Sequence, residues 1–364
     1  MSPARQFQFW LAGLIVLVVL LYALRAVLLP FVAGMAIAYL CDPIADRLEK
    51  WGLSRTLAAL VIIGGFLLLF LAGGLVLVPL LQAQVVGFVG RLPSYAEAGR
   101  GLFESALIAL EQRLPAEQME QVRSAAGDLF GRVLGRLGGL LSGILTSGIA
   151  LINLLSLLFI TPIVAFYLLR DWDRLIAHLD RLLPRHGAEV IREQMRRIDE
   201  RLAGFVRGQA IVAAILGIFY AVALSVAGLE FGLVVGLAAG MASIIPFVGS
   251  VAGFVVSVGL ALLQFDAWQR VVIVAAIFVV GQVAEGNFLT PRLVGSRVGL
   301  HPVWIIFALL VGGTLLGLLG MLLAVPAAAA ISVLISFGVA RYQSSPLYGV
   351  SAGGAPTDDD EQNR

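Results

Sequence analysis

FGLVVGLAAGMASIIPFVGSVAGFVVSVGLALLQF, residues 231–265, is 35 residues long and carries no charged side chain. As one straight helix it would measure about 50 Å, against a hydrocarbon core of about 30 Å. It is too long for a single ordinary span. In its middle stand Ile245, Pro246, Phe247, Val248 and Gly249. Pro246 lacks an N–H and its ring clashes with the preceding turn, while Gly249 can take backbone angles that other residues avoid. The stretch therefore predicts two half-helices meeting at an unwound elbow. Inside a bilayer such an elbow is tolerated only where protein or a watery cavity satisfies its freed backbone groups, so it is a candidate substrate site.

The rest of the chain has the composition of an integral membrane protein. Sixty per cent of its residues are hydrophobic and 13% are charged, where soluble domains carry about a quarter charged. Of 25 basic residues only Lys50 is a lysine. A phosphate-binding Walker loop needs a Lys directly after its glycines, so an ATP motor is excluded. The single cysteine, Cys41, permits no internal disulfide and leaves the redox compartment open. Neither a metal nor a cofactor is expected, because His301 has no His, Cys or carboxylate partner at metal-ligand spacing. The apolar runs also lack the motifs of an intramembrane enzyme, and no nucleic-acid partner is expected.

Spans are predicted at residues 7–24 and 26–41, a short hairpin split by Arg25, then at 56–81, 143–169 with Pro162 inside, 208–228, the broken 231–265, 271–289 and 302–337. The first of these lacks a small-residue cleavage site and is taken as retained. The expected fold is an all-α polytopic transmembrane bundle of about eight spans, with two proline-broken or re-entrant segments and amphipathic helices outside the membrane. Residues 82–142 hold six Arg and six acids and form the extracytoplasmic amphipathic layer; residues 170–207 hold nine Arg and seven acids and form the cytoplasmic one. Residues 1–342 are expected to make one transmembrane transporter domain, followed by a disordered acidic tail at 343–364. The arginine distribution puts both termini in the cytoplasm by the positive-inside rule, although Arg292 and Arg297 fall on the outer side. The nine Arg of 170–207 form a charge-laced helix face or a surface for anionic headgroups.

Gly232, Gly236 and Gly240 line one helix face, and Gly249 and Gly253 repeat the spacing after the break. Small residues at every fourth position let two membrane helices approach closely. A second uncharged run, 298–340, echoes the first. Gly232, Gly240, Met241 and Pro246 recur 80 residues on as Gly312, Gly320, Met321 and Pro326. Paired interrupted segments are the sequence sign of a repeated transporter with its site between them, which makes Pro326 a second elbow candidate and Gly313, Gly317 and Gly320 a second packing face.

Glu285 is the clearest ionisable residue at membrane depth, with Asn287 and Pro291 close behind. A carboxylate there faces a cavity, pairs with an arginine, carries a proton, or snorkels from the interface. Gln209 follows Gly208 at the start of a span and is either a pathway residue or glue between helices.

The stretch Arg207-Gly208-Gln209, Gly217, Gly228-Leu229, Gly232, Gly236, Gly240 and Ile245-Pro246-Phe247-Val248-Gly249 resembles the central signature of the autoinducer-2 exporter family of bacterial membrane proteins, also described as permease-like. Glu285, Asn287, Pro291, Gly295, Val298, His301-Pro302, Gly312-Gly313, Gly317, Gly320 and Val325-Pro326 are similar to its C-terminal signature. One departure is Ser250, where the family often has a second proline. The resemblance implies a secondary exporter of a small polar metabolite such as autoinducer-2 in the bacterial inner membrane, assembled as a homo-oligomer, a homopentamer by family likeness. Some relatives are credited instead with Na⁺(Li⁺)/H⁺ antiport.

The leading expectation is thus a solute pathway at Gly208, Gln209, Pro246, Gly249, Ser250, Glu285, Asn287, Pro291 and Pro326, proton-linked through Glu285. A cation/proton antiporter and a membrane scaffold that moves nothing stay open beside it.

Overall fold

The structure, a computed structural model, describes residues 22–111, 148–185, 187–294 and 300–345 together with a few isolated positions. The described residues form helices and turns with no strand among them, as an all-α membrane bundle requires. In chain order the helices are α1 (Arg25–Lys50), α2 (Arg55–Glu111), α3 (Gly148–Arg181), α4 (Ala188–Val226), α5 (Gly232–Ala242), α6 (Val248–Gln264), α7 (Trp268–Ala284) with a π-helical continuation (Glu285–Val294), α8 (Pro302–Leu316) and α9 (Leu318–Gln343). Five segments are long and apolar enough to cross a membrane, lying in α1, α2, α4, α7 with its continuation, and α9; α5, α6 and α8 are shorter apolar helices.

Several helices run past the boundaries that composition suggested. The second predicted span, 26–41, was expected to stop at Cys41, yet α1 continues through Asp42 and Pro43 to Lys50. Its acids explain why. Asp42, Asp46 and Glu49 fall on one face at helical spacing, and the Arg55 guanidinium that opens α2 meets all three, at 2.6, 2.7 and 3.0 Å. Its Nε also donates to the Leu169 carbonyl of α3 at 2.9 Å. Between α1 and α2 the chain turns at Gly52, whose φ of 95° favours glycine.

Helix α2 likewise passes residue 81 without a break and runs for 57 residues, about 85 Å of helix. The amphipathic layer predicted for 82–142 belongs to this same helix as far as Glu111, and most of its remainder lies outside the described residues. The second predicted layer, at 170–207, is built in the same way, from the end of α3 and the start of α4. The predicted span at 7–24 and the predicted tail at 343–364, beyond its first three residues, also lie outside the described residues, apart from a few isolated positions.

The chain divides into two compact units, Met1–Asp173 with Val206–Gly295, and Arg174–Phe205 with Ser296–Arg364. In the first, small side chains set the packing. Ala38, Cys41 and Ala45 of α1 meet Ala58, Ala59 and Ile62 of α2 and Leu169 of α3 in one buried cluster. A Cβ on Gly34 would lie 2.8 Å from Val164, so glycine is what lets α1 and α3 cross there. In the second unit α8 and α9 form a hairpin around Gly317, at φ 62° and ψ −136°. Gly312 and Gly320 touch across it, backbone to backbone. Arg192 pairs with Asp180 at 2.6 Å in the same unit, and Arg201 donates to Ser332 Oγ at 2.6 Å.

The second broken run differs from its expected form. Its interruption is at Gly317, and Pro326 stands inside the continuous helix α9. A proline removes one hydrogen bond and kinks a helix, whereas reversing the chain within a single residue takes backbone angles open mainly to glycine.

Candidate functional site

The elbow predicted at Pro246 is present, between α5 and α6. Helix α5 is only 11 residues long, and the chain after it turns through Ser243–Phe247 before α6 begins. Ile244 and Ile245 bond back to Met241 and Ala242 in tight i→i+3 turns, and Pro246 has no N–H to continue the ladder. Phe247 then takes φ 67°, a left-handed conformation costing a non-glycine residue about 1–2 kcal/mol. Phe231, just before α5, is left-handed as well, with φ 57°. The half-helix is bounded at both ends by a phenylalanine in a conformation that only its surroundings can enforce.

The freed backbone groups are satisfied by protein. Gln209 of α4 donates its amide to the Ser243 carbonyl, and Ser243 Oγ donates to the Ala239 carbonyl at 2.9 Å. Gln209 is 4% exposed and Ser243 1%. Close approach is secured by glycines on two sides of α5. A Cβ on Gly236 would overlap the Ala221 backbone, one on Gly240 would overlap Gly217, and one on Gly249 would overlap Ala239 and Ser243. The face Gly232–Gly236–Gly240 thus packs α5 on α4.

The third wall is α7 with its π-helical continuation. Phe278 stacks on Tyr220 of α4 with ring centroids 4.5 Å apart and meets Phe254 of α6 edge to face at 6.1 Å. One turn on, Gly281 leaves room for the Tyr220 hydroxyl, which a Cβ there would strike. At the far end a Cβ on Gly208 would come within 2.5 Å of the Leu293 carbonyl. These two crossings, Tyr220 with Gly281 and Gly208 with Leu293, bracket Glu285. It is 7% exposed, stands where the helix widens from α to π, and its Oε2 is buried with no hydrogen-bond partner. Among the described residues no arginine pairs with it. π-Helical turns are rare and gather at functional sites, because widening the ladder re-aims side chains at the cost of good hydrogen bonds.

The predicted pathway residues are brought together only in part. Gly208, Gln209, Gly249, Ser250 and Glu285 are buried and Pro246 is half-buried, all in the first unit. Asn287 and Pro291 lie on exposed faces of the π segment. Pro326 belongs to the second unit. Sequence reasoning missed Tyr220 and Ser243. Tyr220 carried a signal, for it is the one titratable residue between Gly208 and Val226 and shares a helical face with Gln209, Val212, Ala213 and Leu216.

At the other end of α5 the chain is clamped by α2. Gln84 accepts from the Val234 N–H at 3.3 Å, Phe88 lies edge-on to Phe231 at 5.2 Å, Arg91 pairs with Glu230, and Tyr95 donates to Glu230 Oε2 at 3.0 Å. Burial, then the Glu230 carboxylate beside it, pushes the Tyr95 phenol up to about 12. From α6, Gln264 accepts from the Glu230 N–H and donates to the Gly228 carbonyl, both at 2.9 Å.

Comparison with known proteins places the chain among membrane transporters. Residues 11–340 match the AI-2E family transporter. The chain is 29% identical to YrrI of Bacillus subtilis, named as a candidate transport protein, over 86% of each chain. It is 31% identical to a candidate transport protein of Synechocystis, covering 80% of this chain and 73% of that one. It is 25% identical to PerM of Escherichia coli, named as a candidate permease, over 87% and 88% of the two chains.

Proposed function

Because this chain belongs to the AI-2E transporter family, we propose that it is a membrane transporter exporting a small polar metabolite such as autoinducer-2, coupled to protons through Glu285. The observation that carries the coupling is the buried, unpartnered carboxyl oxygen of Glu285 inside a helix apolar enough to span a bilayer. An ionised carboxylate at that depth is expensive, so the group is retained for a change of charge rather than for stability. The elbow supports a moving part beside it: α5 is short, tied to α4 by small residues, and hinged at Phe231 and Phe247. On this reading the protein sits in the bacterial inner membrane as a homo-oligomer with both termini in the cytoplasm.

The test is efflux of candidate solutes from proteoliposomes with and without an imposed pH gradient. Efflux that follows the gradient in the parent protein and ignores it in Glu285→Gln is expected. Undiminished gradient-driven transport in that variant would remove the carboxyl from the mechanism. The same buried oxygen suits a second reading, Na⁺(Li⁺)/H⁺ antiport, for which sodium without any solute would dissipate the pH gradient.

A further inference from the structure

We propose that Tyr220 and Ser250 complete the proton-binding site of Glu285, three oxygens from three helices holding one proton through shared water. The inference deepens the reading of Glu285 above and rests on it. Its first support is geometric. Tyr220 Oη, Ser250 Oγ and Glu285 Oε2 are all buried without a hydrogen-bond partner, and the residues are 0%, 5% and 7% exposed. Three orphaned oxygens in one unit of a tightly packed membrane protein need an explanation, since each costs free energy unless satisfied.

The second support is register. The Tyr220 hydroxyl lies against Gly281, one helical turn before Glu285 on the same face. Gly253 of α6 lies against Phe278 of α7, and the two helices are joined by the short connection 265–267 and run antiparallel. Passing from Gly253 back to Ser250 therefore moves in the same direction as passing from Phe278 on to Gly281 and Glu285. Register thus puts Ser250 and Glu285 on the same side of the Phe278 stack as the Tyr220 hydroxyl, toward the elbow. Ser257, also unpartnered, lies in the opposite direction and is not part of the group.

The third support is chemical. A phenol and an aliphatic hydroxyl both donate and accept, so each can serve a neutral carboxyl and its anion in turn. A water bridging groups about one helical turn apart would satisfy the remaining lone pairs. Among the described residues the neighbouring helices offer nothing else that titrates. Helices α5 and α6 contain no acid, base, Tyr, His or Cys; the α4 segment beyond Arg207 contains only Tyr220. Arg207 itself donates to the Tyr39 carbonyl at 3.2 Å, and Arg270 and Arg292 are exposed at the two ends of the α7 segment. The proton is held or released at Glu285 alone, and Tyr220 and Ser250 act as positioning residues.

Infrared difference spectra of the full-length protein in lipid nanodiscs, titrated with acid, would isolate the carboxyl C=O stretch of Glu285 as the band lost in Glu285→Gln. Tyr220→Phe keeps the ring that stacks on Phe278 and removes only the hydroxyl. It is expected to move that band to higher frequency and to displace its titration midpoint by about one pH unit, the size of one hydrogen bond to a charged group. Ser250→Ala should move the same band by less. A band and midpoint unchanged in both variants would overturn the site, whatever the transport assay gives. Loss of the neutral-carboxyl band on adding Na⁺ at fixed pH would overturn it too, by making the ligand a metal cation. A shifted band in a protein that transports nothing would uphold the site and sink only the transport role.

Discussion

The two uncharged runs, 231–265 and 298–340, look alike in sequence and break in different ways. The first is interrupted by a five-residue turn that needs outside help. Gln209 caps one carbonyl, Ser243 another, and Phe247 is held left-handed. The second is interrupted at one glycine, bonded to no side chain among the described residues, and its proline is absorbed into α9. A break that a single residue makes by itself is a fixed corner. A break that depends on a neighbouring helix can be altered by moving that neighbour, and this places the adaptable joint in the first run.

The contrast is open to attack at several points. The largest effect is expected at Gly240, where an added methyl meets the Gly217 backbone. Gly240→Ala should cost roughly 3 kcal/mol and appear as a lower melting temperature in detergent, because neither backbone can retreat. Gln209→Leu should come next, at about 2 kcal/mol, by leaving the buried Ser243 carbonyl unsatisfied. Equal thermal stability in that variant would mean the elbow supports itself after all, and the contrast would fail. In the second run, Gly317→Ala should cost about 1–2 kcal/mol through backbone strain alone. Pro326→Ala should instead stabilise by up to about 1 kcal/mol, through the helical bond it restores, and calorimetry of the pair would separate corner from proline.

The smallest effect concerns the charged layer of the second unit. The Arg192 guanidinium holds the Asp180 carboxyl below the usual carboxylate range. A depressed carboxylate stabilises above its unfolded value, and that contribution is lost as pH falls through the folded value. Both groups are well exposed, so the change is slight and salt-sensitive. Hydrogen exchange around residues 180–192 should quicken on acidification in the parent protein and be insensitive to the same pH change in Asp180→Asn.

Much of the fold was legible because lipid leaves few options. A long uncharged run with a proline and flanking glycines can only be a broken span, and the Gly232–Gly236–Gly240 spacing can only bring two backbones together. What sequence missed was continuity. Asp42, Asp46 and Glu49 suggested the end of a span, yet their common helical face and a single Arg55 carry α1 onward. Gln82 suggested another boundary, but a polar side chain does not stop a helix, and α2 continues past Pro79 and Gln82 alike. The site was half legible. Glu285 and Gln209 are conspicuous as polar groups in apolar runs, whereas Tyr220 passes for an ordinary aromatic until Gly281 shows where its hydroxyl lies. Pro326 misled because a proline is a visible mark and a glycine's backbone angles are not.

Helix α2 has the geometry of a lever arm. The clamp from Gln84 to Tyr95 ties it to the start of α5, and a further 16 described residues, about 24 Å of helix, run from Tyr95 to Glu111. A rotation of about five degrees at the clamp would displace Glu111 by about 2 Å, simply from the length of the arm. A fluorophore pair with one partner near Glu111 would therefore register movements of the buried half-helix that no label on α5 itself could report without disturbing its glycine contacts.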